Sequence, residues 1–231
     1  MTTASWWLLA LAALLALSDW VAVSGLFPSL AKLEYAAKPG TVLALMAVAA
    51  SLGTPDPARR AWFVVALTFC LIGDLLLMVP GERNATFGGG LGSFLVAQVC
   101  FIVGLTQSGG GWEIALGALG VLAVVAFIPG LVVVRALGKG ETRLLVGPVL
   151  VYLTVLLAMA ATAWSAGFGA SPLGANPLVA AGGLVFVLSD TLLALNRFVR
   201  RLPRATLLVH VTYHAALFLL VLSLAGVAAS R

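Results

Sequence analysis

The run at residues 180–198, AAGGLVFVLSDTLLALNRF, limits the possible folds of this chain more than any other stretch. It is apolar and long enough to cross a bilayer, yet it holds Ser189 and Asp190 in its interior. A carboxylate at that depth costs roughly 2.5–3.5 kcal/mol even on the lenient insertion scale, so it needs a partner, a proton or a task. Asp74 poses the same problem inside AWFVVALTFCLIGDLLLM, residues 61–78.

Composition settles the class. Of 231 residues, 62% are hydrophobic and 9% charged, whereas a soluble domain carries about 25% charged residues. The expected fold is all-α: an integral membrane protein with several spans, read as a single transmembrane helical domain over residues 1–231. The first 20-odd residues lack the basic region and small-residue cleavage site of a signal peptide, and read as the first span. Cys70 and Cys100 fall inside apolar runs, where free thiols behave as small hydrophobes. They imply no disulfide framework.

A span needs about 20 apolar residues. Runs at 5–27, 38–53, 61–79, 91–108, 112–134, 144–166, 177–198 and 206–228 predict a compact bundle of about eight transmembrane helices. The second is short and begins at Lys38, whose side chain would have to snorkel. With eight spans, the connections after odd-numbered helices hold ten basic residues: Lys32, Lys38, Arg83, Arg135, Lys139, Arg143, Arg197, Arg200, Arg201 and Arg204. The other side holds three, Arg59, Arg60 and Arg231. Without the second span the split weakens to eight against five. The positive-inside rule therefore predicts a multi-pass protein of the inner (cell) membrane with both termini outside the cytoplasm. The net charge of +5 is read as topology. Gly88-Gly89-Gly90, Gly92 and Gly182-Gly183 suit close helix contact. Asn84-Ala85-Thr86 matches a glycosylation acceptor, but it lies on the predicted cytoplasmic side and reads as chance.

Counting inward from the basic side places Asp74, Asp190, Gln98, Tyr152, His210, Tyr213, His214 and Asp19 in one layer. At 1.5 Å per residue this layer lies roughly 6–13 Å below the interface. Lys38 and Glu34 are expected at the mouth above it, and Asp19, near the end of its span, is expected to reach water. Such convergence predicts a polar pocket open to the cytoplasmic leaflet, roofed by Lys38 and the basic loops. The blander reading is that each group only hydrogen-bonds a neighbouring helix. A shallow pocket under the headgroups suits a single-chain amphiphile, with Lys as a point-charge phosphate contact and Arg as a bidentate one. The run Arg197, Arg200, Arg201 and Arg204 also reads as a topology anchor and anionic-lipid contact.

Four motifs in chain order then point to a family: Lys38-Pro39, Gly73-Asp74, SD-x-LLA-x-x-x-F at 189–198, and Thr212-Tyr213. Together they resemble the YhhN family of membrane lysoplasmalogenases over nearly the whole chain. The resemblance implies hydrolysis of the vinyl ether bond of a lysoplasmalogen, giving a fatty aldehyde and glycerophospho-ethanolamine or -choline. No cofactor or metal is implied. The expected partners are the lysophospholipid substrate and membrane lipids, with no nucleic acid. The residues suit that chemistry. Protonating the β-carbon of a vinyl ether needs an acid that holds its proton at neutral pH, and a low-dielectric pocket favours one. The resulting oxocarbenium ion needs a negative group beside it, so two carboxyls in unlike surroundings divide the work, as in glycosidases. Asp190 and Asp74 are the expected catalytic pair, with Asp190 as the acid and Tyr152 and Tyr213 hydrogen-bonding one of them. Lys38, Tyr152, Tyr213, His214, Gln98 and Ser189 are expected to bind substrate. The chain departs from the family in two places. Gln98 stands where a His is common, and the last span reads Tyr213-His214-Ala215-Ala216-Leu217 instead of Y-Y-x-A-Q.

Other readings stay open. His210 and His214, at i and i+4, could hold zinc with Asp74 or Asp190 as a third ligand, although no H-E-x-x-H is present. There is no G-x-S-x-G elbow, dinucleotide fingerprint or P-loop. A proton-coupled transporter would also use intramembrane Asp, His and Tyr, but the polar layer lies off the midplane and no repeat of interrupted helices is visible. A non-catalytic lysolipid-binding protein is the remaining alternative.

Overall fold

In the computed structural model, residues 1–79, 84–107, 112–138, 140–169 and 175–225 are described. Arg83, Lys139 and Arg231 of the charge count lie outside them, as does the side chain of Asn84. Among the described residues eight α-helices follow in order: α1 Thr3–Val23, α2 Glu34–Ser51, α3 Pro57–Leu77, α4 Asn84–Thr106, α5 Trp112–Leu137, α6 Val146–Phe168, α7 Pro177–Ala194 and α8 Ala205–Leu222. The expected all-α membrane bundle is what forms. Among the described residues, six of the helices are long and apolar enough to cross a membrane, and α5 adds a seventh if its bent halves count as one span.

The second helix differs from the expected span. At 18 residues, with Glu34, Lys38 and Pro39 in its first two turns, α2 falls outside that long, apolar set. It is held by packing instead, burying Ala37, Lys38, Thr41, Val42, Leu45 and Val48. Helix ends follow local chemistry. Thr2 caps α1 by accepting from the Ser5 amide, and Asp56 caps α3 by accepting from the Arg59 amide, with Pro57 at the first helical position. These pairings satisfy donors that would otherwise be orphaned in the first turn. In α5, the segments Glu113–Ala123 and Ala126–Leu137 meet at 54°. Pro129 removes the bond to the carbonyl four residues earlier and clashes with it, which accounts for a bend at that level.

The helices close a circuit: α1 packs on α2, α2 on α3, α3 on α4, α4 on α6, α6 on α7, α7 on α8 and α8 on α1, while α5 lies outside against α6. Inside the circuit a continuous apolar core runs through Leu45, Phe63, Leu67, Phe101, Phe186, Leu217 and Leu220. One of the two glycine stretches permits this closeness, and the other does so only in part. A Cβ at Gly182 would meet Leu220 at 2.9 Å, and one at Gly183 would meet Ala163 at 2.8 Å. In the other stretch Gly90 abuts Leu77, but Gly88 and Gly92 face open space.

Candidate active site

Five helices bring the polar residues to one end of the bundle. The end of α3 carries Asp74, α7 carries Ser189 and Asp190, and α8 carries His210 and Tyr213. The start of α2 adds Glu34 and Lys38, and α6 adds Tyr152. All of these line one cavity of about 210 Å³. Met78, Asn196, Ala205 and Thr206 line it too, so it lies at the end of the bundle that holds the α3–α4 and α7–α8 connections.

The two aspartates have different surroundings. Asp74 is buried, and its Oδ1 lies 2.9 Å from Lys38 Nζ, with the two side chains 1% and 8% exposed. The contact is one of charge, made at an angle that leaves this oxygen without a directed hydrogen bond. Its Oδ2 accepts from Tyr213 Oη at 2.8 Å. The Tyr213 ring is fixed edge-on by Phe94 and Phe186, and Lys38 lies 5.6 Å from its centroid. Gly73 makes room for this arrangement, since a Cβ there would lie 2.7 Å from the Phe94 ring. Asp190 is half-buried and accepts a hydrogen bond from Tyr152 Oη. Among the described residues no cation lies within ion-pair distance of it. One carboxylate is thus neutralised by an ammonium, while the other has only a phenol.

Several expectations change. Lys38 is buried against Asp74, not exposed at the mouth: an uncompensated carboxylate in the apolar interior draws the nearest cation inward. Asp19 does not reach water. It is fully buried, with Oδ2 2.8 Å from His210 Nδ1, because α8 packs directly on α1. The two imidazoles share a helix face, as their spacing predicts, but they turn toward α1. His214 Nδ1 accepts from Trp20 Nε1 at 3.1 Å, which fixes the proton of a neutral ring on Nε2. Neither Asp74 nor Asp190 joins them. His214 is fully buried and does not line the cavity. Gln98 is likewise buried outside the lining, approaching Tyr152 from α4 without a directed hydrogen bond at either amide atom. Ser189 lines the cavity, but its hydroxyl donates to the Val209 carbonyl of α8 at 3.2 Å.

Three features went unread in the sequence. Trp20 is half-buried and lies in no motif of the sequence, although an indole N–H away from water usually finds an acceptor. Arg59 was counted as a loop charge, yet it is buried, donates to Ser223 Oγ at 3.0 Å and lies 5.2 Å from the Phe63 centroid. The third is an apolar groove of about 80 Å³ between α4, α5, α6 and α7. It shares Tyr152, Asp190 and Leu193 with the polar cavity, so Asp190 stands where an apolar and a polar space meet. No local pattern announces such a boundary, because its walls come from four separate helices.

The model of the YhhN family matches residues 33–224. The chain belongs to the YhhN family. Its matched region begins just before α2 and takes in every residue that lines the polar cavity. The chain is 32% identical over 160 residues to proteins named lysoplasmalogenase from Mycobacterium bovis and Mycobacterium tuberculosis. It is 30% identical over 164 residues to human lysoplasmalogenase TMEM86B. These matches cover 68% of this chain, but 58% of the mycobacterial proteins and 61% of the human one, so the chain spans about three-fifths of the relatives' length. No solved structure matches it.

Proposed function

We propose that this YhhN-family membrane protein is a lysoplasmalogenase-like hydrolase that cleaves the vinyl ether of a lysoplasmalogen. The observation that carries this reading is the pair of carboxyls on one cavity with unlike partners, Asp74 on Lys38 and Asp190 on Tyr152. The names of the relatives support this reaction class, and the chemistry of the pair is suited to it.

Asp190 is the acid. With no cation to hold it ionised, its proton passes to the vinyl β-carbon, and the double-bond electrons form the new C–H bond. The adjacent carbon becomes an oxocarbenium ion. Water adds to that carbon and loses a proton to the carboxylate just formed on Asp190. The resulting hemiacetal collapses to a fatty aldehyde and the free hydroxyl of glycerophospho-ethanolamine or -choline. Asp74, paired with Lys38, places negative charge near the cation; such preorganised charge in a water-poor site contributes most where charge develops. Tyr213 and Tyr152 hold the two carboxyls in place. The cavity has room for several waters, taking a water's share of volume as about 30 Å³. The apolar groove at Asp190 suits the alkenyl chain. The cavity end of the bundle faces the cytoplasm of the cell membrane in this proposal, following the basic residues.

The test measures fatty-aldehyde release by detergent-purified protein from a lysoplasmalogen, beside its ester-linked twin. Aldehyde from the vinyl ether alone, with at least hundredfold loss of kcat in folded Asp190→Asn and Asp74→Asn variants, is the expected result. An unchanged rate in either variant removes that residue from the mechanism. Release of fatty acid from the ester twin in place of aldehyde overturns the proposed chemistry.

A further inference from the structure

The glycerophospho end of such a substrate needs a cationic site that the polar cavity does not supply, since the ammonium lining it is held by Asp74. A second, wider cavity of about 650 Å³ opens beside it and shares Asn196, Ala205 and Thr206 with it. Its wall is formed by the end of α7, the α7–α8 connection and the start of α8, and carries Arg197, Arg200, Arg201 and Arg204. These arginines are not equivalent. Arg197 lies over the Phe87 ring, 5.0 Å from its centroid, and Arg201 has a partner of its own. Arg200 and Arg204 are exposed, and among the described residues no carboxylate pairs with either.

The backbone also presents donors here. After Ala194 the helix widens into a single π-turn, Leu195–Val199, a feature that often marks functional sites. Asn196 Oδ1 then accepts from the Leu202 amide at 2.9 Å and folds the connection back toward α8. Arg204 sits at the N-cap of α8 with φ 53° and ψ 31°, and no side chain caps that 18-residue helix. A non-glycine residue in the left-handed region is uncommon. Such outliers cluster at ligand clamps and switch regions. Two unpaired guanidiniums beside an uncapped helix N-terminus make a site for a phosphate ester.

We propose that this arginine-lined vestibule binds the phosphodiester of the lysolipid headgroup through Arg200, Arg204 and the first turn of α8. The proposal rests on the hydrolase reading above and extends it to the substrate's other end. The reach is consistent. From Asp190 to Asn196 the helix rises about 9 Å. Seven bonds separate the protonated vinyl carbon from phosphorus in the substrate, and an extended chain of that length covers about 8 Å. A substrate would then lie with its alkenyl chain in the groove at Leu193, its vinyl ether at Asp190 and its phosphate in the vestibule.

The same arginines could hold the phosphate of an anionic bilayer lipid, so the experiment separates the two sources. KM is measured in neutral detergent for a lysoplasmalogen and for the 1-alkenylglycerol that lacks phosphate, with wild type, Arg200→Gln, Arg204→Gly and Arg204→Lys. Glycine accepts the left-handed backbone, so Arg204→Gly tests the side chain without straining the fold. The expected result is a wild-type preference for the phosphorylated substrate that falls at least tenfold in Arg200→Gln and Arg204→Gly. Arg204→Lys should recover part of it. A preference that survives both losses overturns the proposal. So does a result in which the variants weaken only binding to nanodiscs containing phosphatidylglycerol.

A binding arm keeps this independent of turnover. Affinity is measured for the ester-linked lysophosphatidylethanolamine and for monoacylglycerol. A headgroup-dependent affinity lost in the variants supports the vestibule even if no aldehyde is released, in which case the hydrolase reading alone fails. Equal affinity for the two ligands in the wild type sinks the headgroup site.

Discussion

Lys38→Met should destabilise the protein strongly, and the structure bounds by how much. Lys38 and Asp74 are both buried and lie 2.9 Å apart. Asp74 keeps one further partner, the Tyr213 hydroxyl at 2.8 Å. Breaking a buried pair by removing one member typically costs about 3–5 kcal/mol, because the remaining charge is stranded. Asp74→Asn strands the ammonium instead and should cost a similar amount. The double variant Lys38→Met/Asp74→Asn strands neither charge and should recover at least about 2 kcal/mol of the summed single losses. The assay is reversible unfolding in mixed micelles of mild detergent and SDS, run as a double-mutant cycle with activity followed in parallel. The double variant should be better folded than either single variant yet inactive. Strictly additive losses, with coupling below about 0.5 kcal/mol, would show that the two groups do not share a charge contact and would remove the basis for calling Asp74 the fixed anion.

Three further outcomes follow from the packing. Tyr152→Phe leaves Asp190 without its phenol and should lower kcat at least tenfold at a stability cost of about 1–3 kcal/mol, the usual range for a buried partner left unsatisfied; an unaltered kcat would take Tyr152 out of the site. Gly73→Ala drives a methyl into the Phe94 ring, 2.7 Å away, and should cost about 1–3 kcal/mol by overpacking. Pairing it with Phe94→Leu should return most of that loss, and failure to do so would place the strain elsewhere. Asp19→Asn weakens the bond to His210 that ties α1 to α8. Unfolding titrations should then show a loss of about 1–3 kcal/mol, and amide exchange should rise in both helices; protection unchanged in α1 would argue against the tie.

The helices and their class were legible in the sequence because apolar length is a local property. Lipid demands that each span satisfy its own backbone, so every long apolar run must become a helix, whatever surrounds it. The cost of a charge in lipid made Asp74 and Asp190 conspicuous, and the basic connections put the polar residues near one end of the bundle. The limit of the apolar-length rule appears at α2, which is held by its neighbours and not by apolar length, and at Arg59, whose helix begins earlier than the apolar run. The sequence also yielded the family, on four short motifs whose order matches.

Partner choice is what only the tertiary structure decided. Tyr213 reaches Asp74 across 139 positions, His210 reaches Asp19 across 191, and Trp20 reaches His214 across 194. In a soluble helix the polar face marks the outside and so fixes the rotation of each helix about its axis. Here lipid and core are both apolar, and that signal is lost. Whether Lys38 points to the headgroups or to Asp74, and whether His214 meets the cavity or Trp20, depends on rotations set by close contacts such as Gly182 on Leu220 and Gly183 on Ala163. Composition and spacing do not encode those rotations, and packing does.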